Sequence, residues 1–178
     1  MILQIGLHLA KQGVKCAYIG LEETVDTTVA RMLSEEVGKP IYLMNEEQRA
    51  EIQDDLMRAF MPIEDKIFLM DRFGGDSFEV FVNNVRHYVL VEGCKVVFLD
   101  HFSLLADGIA LGTDQRRAID KCIKELKTMC IELKFTMVCV CHLSRDGSGH
   151  TPAEEGGEPH LAQLRGSHSL AQIPDYIV

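Results

Sequence analysis

Apolar residues along this chain come in two rhythms: short unbroken bursts, and stripes at helical spacing between them. Ile2, Leu3, Ile5, Gly6, Leu9 and Ala10 predict a helix stopped at Gly13, where a left-handed residue ends the last turn. Lys15 to Leu21 predicts a strand that runs into Glu22-Glu23. Thr24 is placed to cap a helix burying Val25, Val29, Met32 and Leu33 before Gly38. A more polar helix is expected from Asn45 to Phe60, closed by Pro62. Ile67 to Met70 predicts a short buried strand, and Phe78 to Val91 an amphipathic helix ending at Gly93.

Val96-Val97-Phe98-Leu99 is the clearest burst, and it ends on Asp100-His101. A loop carrying Gly108 and Gly112 is expected next. The helix from about Asp114 to Lys134 has the strongest periodicity, with Ile119, Cys122, Ile123, Leu126, Met129, Cys130 and Leu133 on one face. Met137-Val138-Cys139-Val140-Cys141 predicts another buried strand, delivering His142 at its end. A polar loop over 144–160, rich in glycine and proline, leads to a short helical segment around Ser169. Tyr176-Ile177-Val178 reads as the opening of a further strand.

Strands alternating with helices imply an α/β fold with a mostly parallel sheet covered on both faces. At 178 residues the chain fits one domain, 1–178. Met1 opens directly onto a helical pattern and Val178 stops inside an element, so both ends read as cut.

Composition narrows this picture. Apolar content of 47% and charged content of 25% are ordinary for a globular domain. No apolar run approaches the roughly 20 residues that span a bilayer, so no membrane partner is expected. The N-terminus carries neither a secretion signal nor the Arg- and Ser-rich bias of a transit peptide. A formal charge of −9 argues against indiscriminate duplex-DNA binding, which needs clustered Lys and Arg. A narrow channel inside an oligomer stays compatible with it. Cys16, Cys94, Cys122, Cys130, Cys139 and Cys141 all fall in apolar segments, and their spacing matches neither a disulfide framework nor paired zinc knuckles. They read as small buried hydrophobes. A metal site from Cys139, Cys141, His142 and His150 is rejected as too weakly patterned.

The candidate chemistry gathers where strands end, because ligands of open α/β sheets bind outside the carboxyl ends of the strands. Glu22 or Glu23 has the placement of a general base polarising a water that attacks a phosphoryl group. The competing reading is an acid favoured by the dipole of the following helix. Asp100 closes an apolar run, and a carboxylate there needs solvent, a partner or a cation. Magnesium held through water is one solution, and a turn or N-cap role is the other. His142 is placed to touch the terminal phosphate of a nucleotide or to serve structure alone. Leu164-Arg165-Gly166-Ser167 puts an arginine and a hydroxyl at a helix start, either an anion site or a capping turn. The 144–160 segment is long enough to be a binding loop.

Taken in order, these runs resemble one family. Gly20-Leu21-Glu22-Glu23-Thr24, Val97-Phe98-Leu99-Asp100-His101-Phe102-Ser103, Val140-Cys141-His142-Leu143, Leu164-Arg165-Gly166-Ser167 and Asp175 resemble the RecA-like motor domain of hexameric replicative DNA helicases. The likeness is nearest to the phage helicase–primase type and its mitochondrial relative Twinkle. Bacterial DnaB is more distant, carrying Gln where this chain has His142.

The resemblance implies a RecA-like P-loop NTPase core, truncated at both ends, using ATP or another NTP with Mg2+. It implies that Glu22 activates water, that Asp100 is the Walker B acid acting on magnesium, and that His142 senses the γ-phosphate. All three then contact nucleotide. Loops carrying His101 and Ser103, and Leu143, Ser144 and Arg145, would meet single-stranded DNA, supported by Arg165, Gly166 and Ser167. The implied partners are single-stranded DNA, further copies of the chain in a hexameric ring, a fused or separate primase, and a replicative polymerase. The implied setting is the cytoplasm of a bacterial or phage-infected cell, ahead of a mitochondrial matrix.

The sequence also departs from the family. Gly-x-x-x-x-Gly-Lys-Ser/Thr occurs nowhere in it, and its family position lies just upstream of Ile2. The arginine finger and last DNA loop would lie beyond Tyr176, and His168 replaces a usual glycine. As it stands the chain is expected neither to bind ATP tightly nor to hydrolyse it. The function implied is the core of an ATP-dependent 5′-to-3′ replicative helicase. The rivals are another RecA-like ATPase, of the recombination or clock type, and a non-catalytic RecA-like interaction subunit.

Overall fold

A computed structural model describes residues 2–71, 77–109, 115–142, 164 and 169–178. Four strands make one sheet: β1 (Cys16–Gly20), β2 (Ile67–Asp71), β3 (Val96–Asp100) and β4 (Thr136–Cys139). Their order is β2-β1-β3-β4, and every pairing is parallel. The apolar bursts became strands for a simple reason: a parallel sheet is covered on both faces, so neither face needs polar residues.

Two cores follow from the pleat. Ala17, Ile19, Val97 and Leu99 point to one face and pack with Phe81, Val85, Phe102, Ile119, Cys122 and Leu126. These come from α5 (Phe78–Leu90), α6 (Phe102–Ile109) and α7 (Gln115–Leu133). Cys16, Tyr18 and Phe98 point to the other face, beneath Ile2, Leu3 and Leu9 of α1 (Ile2–Lys11). Gly6 lets α1 settle onto the sheet, since a Cβ there would stand 3.2 Å from the Phe98 ring. A smaller cluster joins Ala30 and Leu33 of α2 (Val25–Val37) to Ile41 and Ile52.

Most expected elements are present, with their ends moved by a residue or two. Thr24 caps α2 by accepting from the Thr27 amide, and Gly38 ends it at φ 69°. Ser77 caps α5 in the same way. Three expectations are corrected. The polar stretch 45–60 forms two helices, α3 (Glu46–Glu51) and α4 (Gln53–Phe60), broken at Ile52. Ile52 turns inward with φ −114° and is 8% exposed, so burial of one side chain interrupts the helix. The segment after His101 begins as α6 rather than a loop, because Phe102 and Leu105 are drawn into the core. Finally, Tyr176, Ile177 and Val178 are exposed and adopt no strand after α8 (Ser169–Gln172).

Among the described residues no helix is long and apolar enough to cross a membrane.

Candidate functional site

The strand order turns around between β1 and β3. From β1 the chain leaves toward β2 on one side, and from β3 toward β4 on the other. Such a reversal opens a crevice at the carboxyl ends of the two strands, the usual ligand position of open α/β sheets. Gly20 pairs in register with Asp100 across this crevice, and the Leu21 amide donates to the Asp100 carbonyl at 2.7 Å. One bond farther along, the Val140 amide donates to Leu99 and the Phe102 amide to Val140, both at 2.9 Å. The exits of β1, β3 and β4 are therefore held at one edge.

Three side chains converge there. Glu22 Oε1 lies 2.9 Å from His101 Nε2 and 3.9 Å from His142 Nε2. The two imidazole rings stack with centroids 3.8 Å apart and planes tilted by 28°. Exposure separates them: the His101 side chain is 5% exposed, against 48% for Glu22 and 51% for His142. Glu22 and His142 thus face the crevice, with His101 beneath them.

The geometry also separates the two neighbouring acids. Glu23 turns away to pair with Arg31 of α2 at 2.7 Å. Glu22 alone of the two reaches the histidines.

Asp100 has a partner that the pattern of residues did not reveal. The Tyr18 hydroxyl donates to Asp100 Oδ2 at 2.7 Å. Tyr18 and Asp100 share a face because residues two apart on paired strands point the same way. Gly20 makes the crossing possible, since a Cβ there would stand 3.3 Å from the Tyr18 ring. Burial, then the bond to Asp100, pushes the Tyr18 hydroxyl far above the ordinary tyrosine range. A Tyr-x-Gly strand end was the only sequence signal, and it is weak without the register.

Magnesium fits this acid. Asp100 is partly exposed at the sheet mouth and only its Oδ2 is engaged by Tyr18, so a carboxylate oxygen remains that could take a water of a hydrated ion. The Glu22–His101–His142 group is a poorer cation site, although its donor atoms all lie within 4.8 Å of one another. An imidazole lone pair lies in its ring plane, and planes stacked at this small tilt meet well beyond a metal–nitrogen bond of about 2.1 Å. The Glu22–His101 distance is that of a direct hydrogen bond.

The six thiols are free, as the sequence indicated. Burial pushes Cys16 and Cys122 up to about 11, Cys94 to about 12 and Cys141 to about 11, and raises Cys139 further. Buried thiols raised in this way are poor nucleophiles at neutral pH.

Of the residues assigned to DNA, Leu143, Ser144, Arg145, Arg165, Gly166 and Ser167 lie outside the described residues. Ser103 is partly exposed in the first turn of α6. His101 is buried against Glu22 and His142, a placement at odds with direct contact to a nucleic acid. Asp175 pairs with Lys127 of α7, tying the last described segment to the body.

Comparison with known proteins places this geometry in a family. The model of the DnaB-like helicase C-terminal domain matches residues 1–178. A DNA helicase/primase of Enterobacteria phage T3 is 27% identical over 182 residues, covering 94% of this chain and 30% of the phage protein. Among solved structures, a DnaB-like replicative helicase described with its interactions with primase superposes with a TM-score of 0.78 at 19% identity. That match covers 98% of this chain and 42% of the other. The ATPase domain of G40P superposes with a TM-score of 0.74 at 19% identity, covering 98% of this chain and 61% of that one. The chain thus spans about a third of the phage relative's length, and the fold expected from the sequence, a RecA-like α/β core, is the fold observed. With the family model matching from end to end, the chain belongs to the DnaB-like helicase C-terminal domain family.

Proposed function

We propose that this chain is the motor core of an ATP-dependent replicative DNA helicase, moving 5′ to 3′ on single-stranded DNA as part of a hexameric ring. One observation carries the reading. Glu22 and Asp100 leave the two strands that flank the reversal of the sheet, and His142 meets Glu22 over the same crevice. A base, a magnesium acid and a phosphate contact are the parts that phosphoryl transfer to water requires.

In this reading Glu22 accepts a proton from a water aligned with the γ-phosphorus. The new bond joins that water oxygen to phosphorus, the bond to the β–γ bridging oxygen breaks, and ADP leaves with the electron pair. A magnesium ion, when bound, neutralises charge on the β- and γ-phosphates. Asp100 would hold that ion through a water, with the Tyr18 hydroxyl fixing the carboxylate's rotation. His142 donates to a γ-phosphate oxygen only while that group is attached, so its position reports hydrolysis to the segment that follows. That segment, with Ser103 and Arg165 to Ser167, is proposed to grip the DNA backbone rather than read bases. The phosphate cradle and its lysine are not among these 178 residues. Activity is therefore assigned to the product of the full reading frame, where a primase, fused or separate, and a polymerase are the proposed partners.

The test is strand separation by that product on forked duplexes with either a 5′ or a 3′ loading tail. The reading requires ATP-dependent release that needs the 5′ tail. Hydrolysis without strand release would instead favour a RecA-like ATPase of another kind. Absence of both nucleotide binding and hydrolysis would favour a non-catalytic subunit.

A further inference from the structure

The histidine that follows the magnesium acid has no chemical task in the reading above, yet it is the most enclosed polar group at the site. His101 is buried, and its Nδ1 has no hydrogen-bond partner among the described residues. Its Nε2 carries the hydrogen that Glu22 Oε1 accepts at 2.9 Å, which fixes the tautomer when the ring is neutral. Its face lies against His142 at 3.8 Å. It therefore touches both crevice-facing groups while meeting almost no solvent.

The backbone around it is firm. Phe102, the next residue, is 1% exposed and donates its amide to Val140, two residues before His142. Asp100, the preceding one, accepts from the Leu21 amide, next to Glu22. Glu22 by contrast is half-exposed, and a glutamate with three rotatable bonds samples many orientations unless something holds it. Misplacing a reacting group by about 1 Å can cost a hundredfold in rate.

We infer that His101 is a positioning residue. Its Nε2–H holds the carboxylate of Glu22 toward the attacking water, and its ring passes displacement of His142 to that carboxylate. The sensor and the base are in this way joined through one buried imidazole. The inference rests on the reading of Glu22 as the base.

Two substitutions divide the two contacts. His101→Phe keeps a ring against His142 and removes the donor, whereas His101→Gln keeps an N–H near the Nε2 position and removes the ring. In the full-reading-frame product, His101→Phe is expected to lower kcat for ATP by 10- to 100-fold with KM changed less than threefold. His101→Gln is expected to recover at least half of that loss on a logarithmic scale, while its stimulation by single-stranded DNA falls to a third or less of the parent's. The double variant Glu22→Gln/His101→Phe is expected to be no slower than Glu22→Gln alone, because the donor acts only through the carboxylate. Thermal melting confirms folding of each variant, and if His101→Phe does not fold, His101→Leu, which also lacks the donor, replaces it in the single and double variants, with His101→Gln as the donor-keeping control for a lost ring. A kcat for His101→Phe within threefold of the parent overturns the inference, as do equal losses in both single variants or a change confined to KM. Retained hydrolysis in Glu22→Gln strikes the reading of the base itself, whereas an inactive Glu22→Gln beside an active His101→Phe removes only the positioning role.

Discussion

Tyr18 and Asp100, on neighbouring strands, are joined by a hydrogen bond of 2.7 Å that crosses above Gly20. The bond ties the acid at the end of β3 to a ring seated in the core under α1. Tyr18→Phe keeps the ring and removes the donor. The expected cost is about 1 kcal/mol of stability, the net worth of one such bond. Urea unfolding of the 178-residue chain reads it directly, and an unchanged midpoint would mean that Asp100 is held by something else.

The same packing sets an alkaline limit. Cys16, Cys94 and Cys122 are raised from 9.0 to about 11 or 12, and Tyr18 is raised above its ordinary 10.0. Unfolded chains therefore lose these protons first. Their contribution to stability is complete below about pH 9 and is lost as the pH rises toward 12. Unfolding midpoints measured between pH 8 and 10.5 are expected to fall steadily, and Tyr18→Phe should flatten the part above pH 10. A midpoint that holds constant or rises would contradict the burial of these groups.

Gly6 tests the seating of α1. A glycine inside a helix normally gains up to about 1 kcal/mol on replacement by alanine. Here the new Cβ would meet the Phe98 ring at 3.2 Å, and that ring, only 1% exposed, would have to shift within the core. Overpacking of this kind costs about 1–3 kcal/mol. Gly6→Ala is therefore expected to lower the melting temperature, whereas an increase would show that α1 sits more loosely on the sheet.

His142→Ala addresses the sensor. Nucleotide affinity is expected to stay within about threefold of the parent, while DNA no longer stimulates hydrolysis, because one hydrogen bond adds little to binding but carries the proposed report of the γ-phosphate. Stimulation that survives the substitution would place the sensor elsewhere.

Much of this fold could be read from the residues, and for identifiable reasons. Buried parallel strands leave unbroken apolar runs, so β1, β3 and β4 were plain, and α7 showed its inward face over five turns. Glu22, Asp100 and His142 stood out as candidates because each follows an apolar run at a strand end, and the structure brings Glu22 and His142 together there. What stayed hidden depends on contacts distant in sequence. Nothing local marks His101 as buried: a histidine after a strand looks like any loop residue until Glu22 and His142 close over it. Helix α6 is held by Phe102 and Leu105 in the core. The break at Ile52 is the reverse case, a polar stretch with ample helical propensity interrupted by one residue turning inward.

The account stands most directly on the hydrolysis rate of the full-reading-frame product with Glu22→Gln or Asp100→Asn, measured with saturating ATP, magnesium and single-stranded DNA. Removing the base or the magnesium acid is expected to slow turnover by about 10²-fold or more, the scale of general-base catalysis, with the melting temperature of each variant close to the parent's. Rates within a few-fold of the parent in folded protein would contradict a shared catalytic edge between β1 and β3.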